Sequence, residues 1–377
     1  MKFPSKYSNI LIYEEDNGLI DLSEYMRVNI GILLRDAVRA SVKNPGEFFF
    51  LLKMAIASRR AYKIREKYEK KGEHVPPFLI ASITSSCNLH CKGCYAIENH
   101  ICSSGQNSQM TAQRWSEIFQ EASGIGVGFI LLAGGEPLMR REVLERAAQI
   151  RNVLFPVFTN GTMMDEGYID FFRRNRNMIP VLSLEGDRQR TDERRGEGIY
   201  SALTASMDQL NRSKVFFCAS VTVTKENLAY VTGKEFIDGL TSHGCKLVFY
   251  VEYTPVDQQT RALALSDEDR KAMDAKLDEL RKAYKNFIFI SFPGDEKLTG
   301  GCLAAGRGFF HINPDGDAEP CPFSPYSDLN LKDHTLLEAM ESALFRELNK
   351  EGYLLQEHEG GCLLFEKRAE VEALLNK

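Results

Sequence analysis

No stretch of this 377-residue sequence stays apolar long enough to cross a bilayer. The longest such run, Phe48 to Ala57, is interrupted by Lys53 and falls short of the roughly 20 residues a spanning helix needs. Met1 to Tyr13 lack a basic region followed by an apolar core and a small-residue cleavage site, so a cytoplasmic protein is expected. An excess of positive charge is missing too. The formal net charge is −5, which gives no global reason to expect a nucleic-acid partner. Internal repeats and low-complexity tracts are absent, and the 44% hydrophobic content is that of a folded chain with a sizeable core.

What is present divides into three segments. Residues 1–75 are rich in helix formers and in Lys and Arg, and close on Pro76-Pro77. Residues 76–290 alternate short apolar runs with amphipathic stretches. Residues 291–377 are dense in Gly and Pro and end in a helix rich in Leu and Glu. In the middle segment, strands are expected at Phe78–Thr84, Phe129–Ala133, Leu154–Thr159, Ile179–Leu184, Val215–Val223 and Leu247–Glu252. Helical patterns fill the intervals at Thr111–Ser123, Glu142–Arg151, Asp165–Asn175, Tyr200–Arg212 and Lys234–His243. Near-continuous apolar strands alternating with helices predict a parallel sheet covered by helices, an α/β fold. Six such units suit an open sheet or a partial barrel equally, and in either one the functional residues gather at the carboxyl edge.

The nine cysteines lack the spacing of a disulfide framework and read as metal ligands or reduced thiols. Cys87, Cys91 and Cys94 fall in the loop after the first strand. Three thiolates within eight residues can converge on one centre, and iron–sulfur clusters normally take four cysteines. Three ligands would leave one iron open, the mark of a reactive rather than a structural site. A structural zinc completed by His90 or His100 is the alternative, although zinc ligands usually come as two separated pairs.

The spacing C-x3-C-x2-C after a first strand resembles the signature of the radical S-adenosylmethionine superfamily. The resemblance implies a partial (β/α)6 barrel. It also implies a [4Fe–4S] cluster whose open iron binds S-adenosylmethionine, and cleavage of that molecule to a 5′-deoxyadenosyl radical. The sequence departs from the pattern at Gly93, where an aromatic residue is usual; Tyr95 follows instead. Gly134-Gly135-Glu136-Pro137, behind the second strand, is similar to the family's motif for the cofactor's amino group. Glycines admit a close ligand and a carboxylate accepts from an ammonium. Asn160, ending the third strand in Thr159-Asn160-Gly161, would line the cofactor pocket, although Asn-Gly is also a generic turn. Ser183 and Glu185 would face the ribose or the methionyl end. Arg195, chosen over Arg194, would pair with the cofactor carboxylate as a bidentate donor, against the plainer reading of a solvated charge run.

Cys302, Cys321 and Cys362 recur in the last segment. Pro314-Asp315-Gly316-Asp317, flanked by Phe309–Ile312 and Glu319–Pro322, predicts a hairpin. This arrangement resembles the SPASM/Twitch auxiliary modules and implies a second iron–sulfur cluster, of the [4Fe–4S] type, in a small hairpin-plus-helix domain. The fourth ligand is open, with Cys102 one candidate. Expected partners are a small-molecule, lipid or peptide substrate and a one-electron donor such as flavodoxin or ferredoxin. Peptide maturases and porphyrin side-chain decarboxylases share the two-cluster arrangement, and a non-catalytic electron carrier is the alternative from another class. The basic helices expected at Val28–Ala40 and Phe48–Tyr68 suit either packing on the catalytic domain or peripheral contact with a membrane.

Overall fold

The computed structural model describes residues 45–98, 109–255, 260–292, 301–350, 353–354 and 362–375, together with 31, 35, 37 and 38. Cys102 and most of Val28–Ala40 lie outside the described residues. The first described helix, α1 (Pro45–Glu69), ends in a turn with Gly72 at φ +80°, and Pro76-Pro77 then lead into the first strand.

Seven strands follow: β1 (Phe78–Thr84), β2 (Phe129–Gly134), β3 (Phe155–Thr159), β4 (Met178–Leu184), β5 (Cys218–Val223), β6 (Leu247–Glu252) and β7 (Ile288–Phe292). They lie side by side in sequence order, each parallel to the next. The longer connecting helices are α2 (Ala112–Ile125), α3 (Arg141–Ala148), α4 (Glu166–Arg174), α5 (Arg188–Arg195), α6 (Ile199–Arg212), α7 (Lys234–Ser242) and α8 (Asp267–Ala283), with single turns at Tyr95–Glu98 and Leu228–Val231. Several start at a side-chain cap that satisfies orphan amides: Thr111, Asp165, Asp187 and Ser266 each accept from a backbone N–H in the first turn.

The six expected strands are present, with β5 shortened to begin at Cys218. The seventh was not expected. Ser266 and Asp269 form a reciprocal capping box at the start of α8, a signal that points to another helix and hence another strand behind it.

Beyond β7 the chain returns to the opposite edge. β8 (His311–Ile312) runs parallel to β1 and pairs antiparallel with β9 (Ala318–Glu319), giving the order β7-β6-β5-β4-β3-β2-β1-β8-β9. This is the hairpin that Pro314–Asp317 predicts. A buried polar chain fastens it to β1. Ser82 Oγ lies 2.7 Å from His311 Nε2, and His311 Nδ1 lies 2.6 Å from Glu319 Oε2. Four short helices, α9 (Leu336–Met340), α10 (Ala343–Leu348), α11 (Leu363–Glu366) and α12 (Arg368–Leu374), complete the C-terminal part.

The strands are apolar throughout because both sheet faces are covered. On β4, Leu182 and Leu184 join the core under the helices, whereas Ile179 and Val181 join a second cluster with Leu51 of α1. Alternate residues point to opposite faces, so α1 lies on the face that α2 to α8 leave open. α1 is therefore docked on the sheet rather than separate from it.

Candidate metal centre and cofactor pocket

A cavity of about 520 Å³ runs along the inner face of the sheet, and its walls change character from one end to the other. Phe78, Leu154, Ile179, Phe216 and Leu247, at the amino ends of the strands, make one end apolar. Thr159, Asn160, Ser183, Thr222 and Glu252, at the carboxyl ends, make the other polar. Cys87, Cys91 and Cys94 line that polar end.

The three thiols are half-buried and form no disulfide. Burial pushes the Cys87 and Cys91 thiols up, and nearby negative charge adds to this, from Glu136 and the other two thiols at Cys87 and from Cys94 and Glu185 at Cys91. Arg195 and Arg194 act in the opposite direction on Cys91. Cationic neighbours favour the thiolate, the form that ligates iron. Among the described residues no set of three or more acidic, Cys or His side chains is drawn together to hold a single ion. A multinuclear cluster does not need that geometry, because each of its irons takes its own thiolate. The donor set is all sulfur, which suits iron–sulfur chemistry.

The Gly-Gly-Glu-Pro turn is built against the cysteine loop. Gly135 N–H donates to Thr84 O and Glu136 N–H to Ser86 O, each at 2.8 Å. A Cβ on Gly135 would stand 2.1 Å from Ser86 O, so the two segments touch backbone to backbone. Glu136 is 1% exposed. Its Oε1 accepts from Leu138 N–H and the Thr159 hydroxyl, and its Oε2 from Asn160 N–H at 2.8 Å. A carboxylate offers about four acceptor sites, so one on Oε2 is left for a ligand ammonium. Burial raises this carboxyl above its ordinary value, and the hydrogen bonds draw it back. Gly134, Gly135 and Glu136 line the cavity, while Pro137 opens a short 3-10 turn behind it.

Asn160 lines the cavity and donates through Nδ2 to Asn88 Oδ1 at 2.9 Å, tying the end of β3 to the cysteine loop. Ser183 lies on the cavity wall. Glu185 does not. It is 2% exposed, and its Oε1 accepts from Arg194 Nη1 at 2.5 Å and Arg195 Nη2 at 2.6 Å. Among the described residues its buried Oε2 has no partner. The Asp192–Gly196 stretch is thus no solvated charge run: both arginines turn inward onto the cavity. Arg194 also spans to the metal loop, where its Nε donates to Lys92 O at 3.2 Å while Lys92 N–H donates to Arg194 O.

Two residues that the sequence reading left without a role take one here. Tyr253, just past β6, is 5% exposed, and among the described residues its buried hydroxyl meets no partner. It explains the departure at Gly93. That residue has φ +62°, and a Cβ on it would stand 2.7 Å from Tyr253 Oη. An aromatic ring at position 93 would need the space that Tyr253 fills. The second is Arg194, whose link to Lys92 joins residues 102 apart in sequence and leaves no local pattern.

Cys302 and Cys321 are buried and Cys362 is half-buried at the start of α11, all three packed on the same apolar core. Leu303, Pro322 and Phe323, beside two of them, reach the cavity wall, and the Tyr95 and Phe323 rings meet edge to face with centroids 5.2 Å apart.

Comparison with known proteins points in one direction. The family described as the radical SAM superfamily matches residues 81–231. An AdoMet-dependent heme synthase of Methanosarcina barkeri is 29% identical over 303 residues, covering 72% of this chain and 84% of the relative. A probable GTP 3′,8-cyclase of Methanothermobacter thermautotrophicus is 38% identical over 266 residues, covering 64% of this chain and 82% of the relative. In fold, the chain is similar to Streptococcus suis SuiB, crystallised with its precursor peptide SuiA. The TM-score is 0.63 at 18% identity, over 83% of this chain and 76% of that one.

Proposed function

The chain belongs to the radical SAM superfamily, and from that premise we propose that Cys87, Cys91 and Cys94 hold a [4Fe–4S] cluster with one iron open to S-adenosylmethionine. When bound, the reduced cluster supplies the electron that breaks the sulfonium C–S bond and so starts hydrogen abstraction from an unactivated carbon. The residues of this chain orient the cofactor. Glu136 offers its free acceptor site to the ammonium, beside Gly134 and Gly135. Arg195 offers guanidinium donors to the carboxylate, with Glu185 fixing its orientation. Ser183, Asn160 and the Tyr253 hydroxyl supply polar contacts to the nucleoside. Pro137 holds the turn.

We read the sheet as the partial barrel of the family, with 1–75 as its N-terminal extension, 76–290 as the core domain and 291–377 as the auxiliary module. There Cys302, Cys321 and Cys362 ligate a second cluster that accepts or passes electrons, and a flavodoxin or ferredoxin reduces the first. The observation that carries the reading is convergence: trio, glycine turn and paired arginines face one polar end of a single cavity. After anaerobic reconstitution with dithionite and S-adenosylmethionine, the protein is expected to form 5′-deoxyadenosine, and Cys91→Ala is expected to form none. A cluster-loaded wild type that yields no nucleoside contradicts the proposal.

We further propose peripheral membrane contact through α1. Its outer face exposes Phe49, Leu52 and Ile56 among the exposed cations Lys53, Arg59, Arg60 and Lys63, a pairing that suits an anionic bilayer. Among the described residues no helix is long and apolar enough to cross a membrane. Flotation with anionic liposomes is expected to recover the wild type and to lose a Phe49→Ser/Ile56→Ser variant. Equal recovery of the two removes the idea.

A further inference from the structure

Arg65 has no role in the chemistry described above, yet it lines the same cavity. It extends from the buried face of α1 and is 6% exposed. One N–H donates to Gly126 O, beside the amino end of β2, and the guanidinium lies 6.0 Å from the Tyr62 ring centroid. Among the described residues no carboxylate lies within ion-pair distance of it; Glu69, the nearest acid acting on it, is taken by His74. Burial pushes its pKa down to about 10, and Tyr62 and Glu69 offset only part of that. A guanidinium carries more N–H donors than one carbonyl satisfies, and a buried cation is normally paired.

Arg65 and the cysteines stand at opposite ends of the sheet. Gly126 precedes β2, while Cys87 follows β1, its parallel neighbour. The seven residues of β1 span roughly 20 Å at ~3.3 Å per residue. Between the two ends the wall is mostly apolar: Leu51 and Met54 of α1, Ile80, Leu131, Phe158 and Phe249 of the strands. Its polar side chains are the hydroxyls of Ser58, Ser220 and Ser291, and among the described residues no charged group lines that stretch.

We propose that this cavity binds an amphiphile, with an anionic head on Arg65 and an apolar body lying along the inner face of the sheet toward Cys87, Cys91 and Cys94. The inference rests on the radical SAM reading of the polar end and names the substrate class for it. It places the reacting carbon in the apolar body, remote from the anionic group. A peptide or a nucleotide, polar along its length, does not match that wall.

Palmitate and hexadecanol, alike in length and different in charge, test the idea on the full chain by equilibrium binding. Wild type is expected to bind palmitate about tenfold or more tightly than hexadecanol, since one charge-assisted contact is worth at least ~1.4 kcal/mol. Arg65→Gln is expected to erase that preference while leaving hexadecanol affinity within about threefold, and Arg65→Lys to keep most of it. Should Arg65→Gln fail to fold, the wild-type preference alone decides. Absent palmitate binding, or equal affinity for acid and alcohol, overturns the proposal. The assay needs no loaded cluster, so either result stands apart from whether 5′-deoxyadenosine forms.

Discussion

Gly135 has no room for a side chain, because its missing Cβ would overlap the carbonyl of Ser86, next to the first cysteine. Gly135→Ala must therefore push the glycine turn and the cysteine loop apart. Overpacking of this kind costs about 1–3 kcal/mol. The expected outcome is a lower melting temperature together with an iron content well below wild type after reconstitution, measured on the same preparation; unchanged iron would separate the turn from the metal loop. At this scale the sequence is legible where partners are close in the chain. The trio and Gly134–Pro137 stand out by spacing alone. Tyr253 and Arg194 do not, because each acts on a residue far away in sequence, Gly93 and Lys92. Glu185 was expected at the cofactor. Instead it lies behind the cavity wall as the anchor of two arginines, since a carboxylate this buried needs its countercharge.

Among the elements, the strands and most helices were readable because a sheet covered on both faces writes itself as uninterrupted apolar runs. β7 was the exception. It lies against the change in composition at residue 290, where Gly and Pro become dense. How α1 and the C-terminal part attach could not be read, since the joints are made by contacts between residues far apart in sequence. One is made by His74, just beyond α1, with Nδ1 2.5 Å from Glu69 and Nε2 2.7 Å from Arg307 O. Burial acts to lower its pKa, but the bonds to Glu69 and to the carbonyl outweigh it, and the net shift is upward from 6.5. A raised folded-state value means stability fully present below the unfolded pKa, near 6.5, and lost as pH rises through the folded one. The side chain is 41% exposed, which keeps the effect small. Melting temperatures of wild type and His74→Gln are expected to differ more near about pH 6 than near about pH 9. A gap that is constant with pH would show that the imidazolium does not hold this joint.

For the whole molecule, the arrangement amounts to one cavity with three suppliers. The strand ends give the metal loop and the cofactor contacts, α1 gives an apolar wall and Arg65, and the C-terminal part closes the side next to Cys94 through Phe323. Fold class and site location could be inferred from sequence, since both follow from strand periodicity and the rule that parallel sheets work at their carboxyl edges. The shape of the cavity could not, because it depends on which sheet face α1 covers. All of this turns on an iron corner left vacant by Cys87, Cys91 and Cys94. Electron paramagnetic resonance of the reduced Cys302→Ala/Cys321→Ala/Cys362→Ala protein, recorded before and after adding S-adenosylmethionine, reads that corner without interference from a second cluster. The account predicts a [4Fe–4S] signal whose g-values move when the sulfonium is added. A protein that carries zinc there, or a signal that does not move, contradicts it.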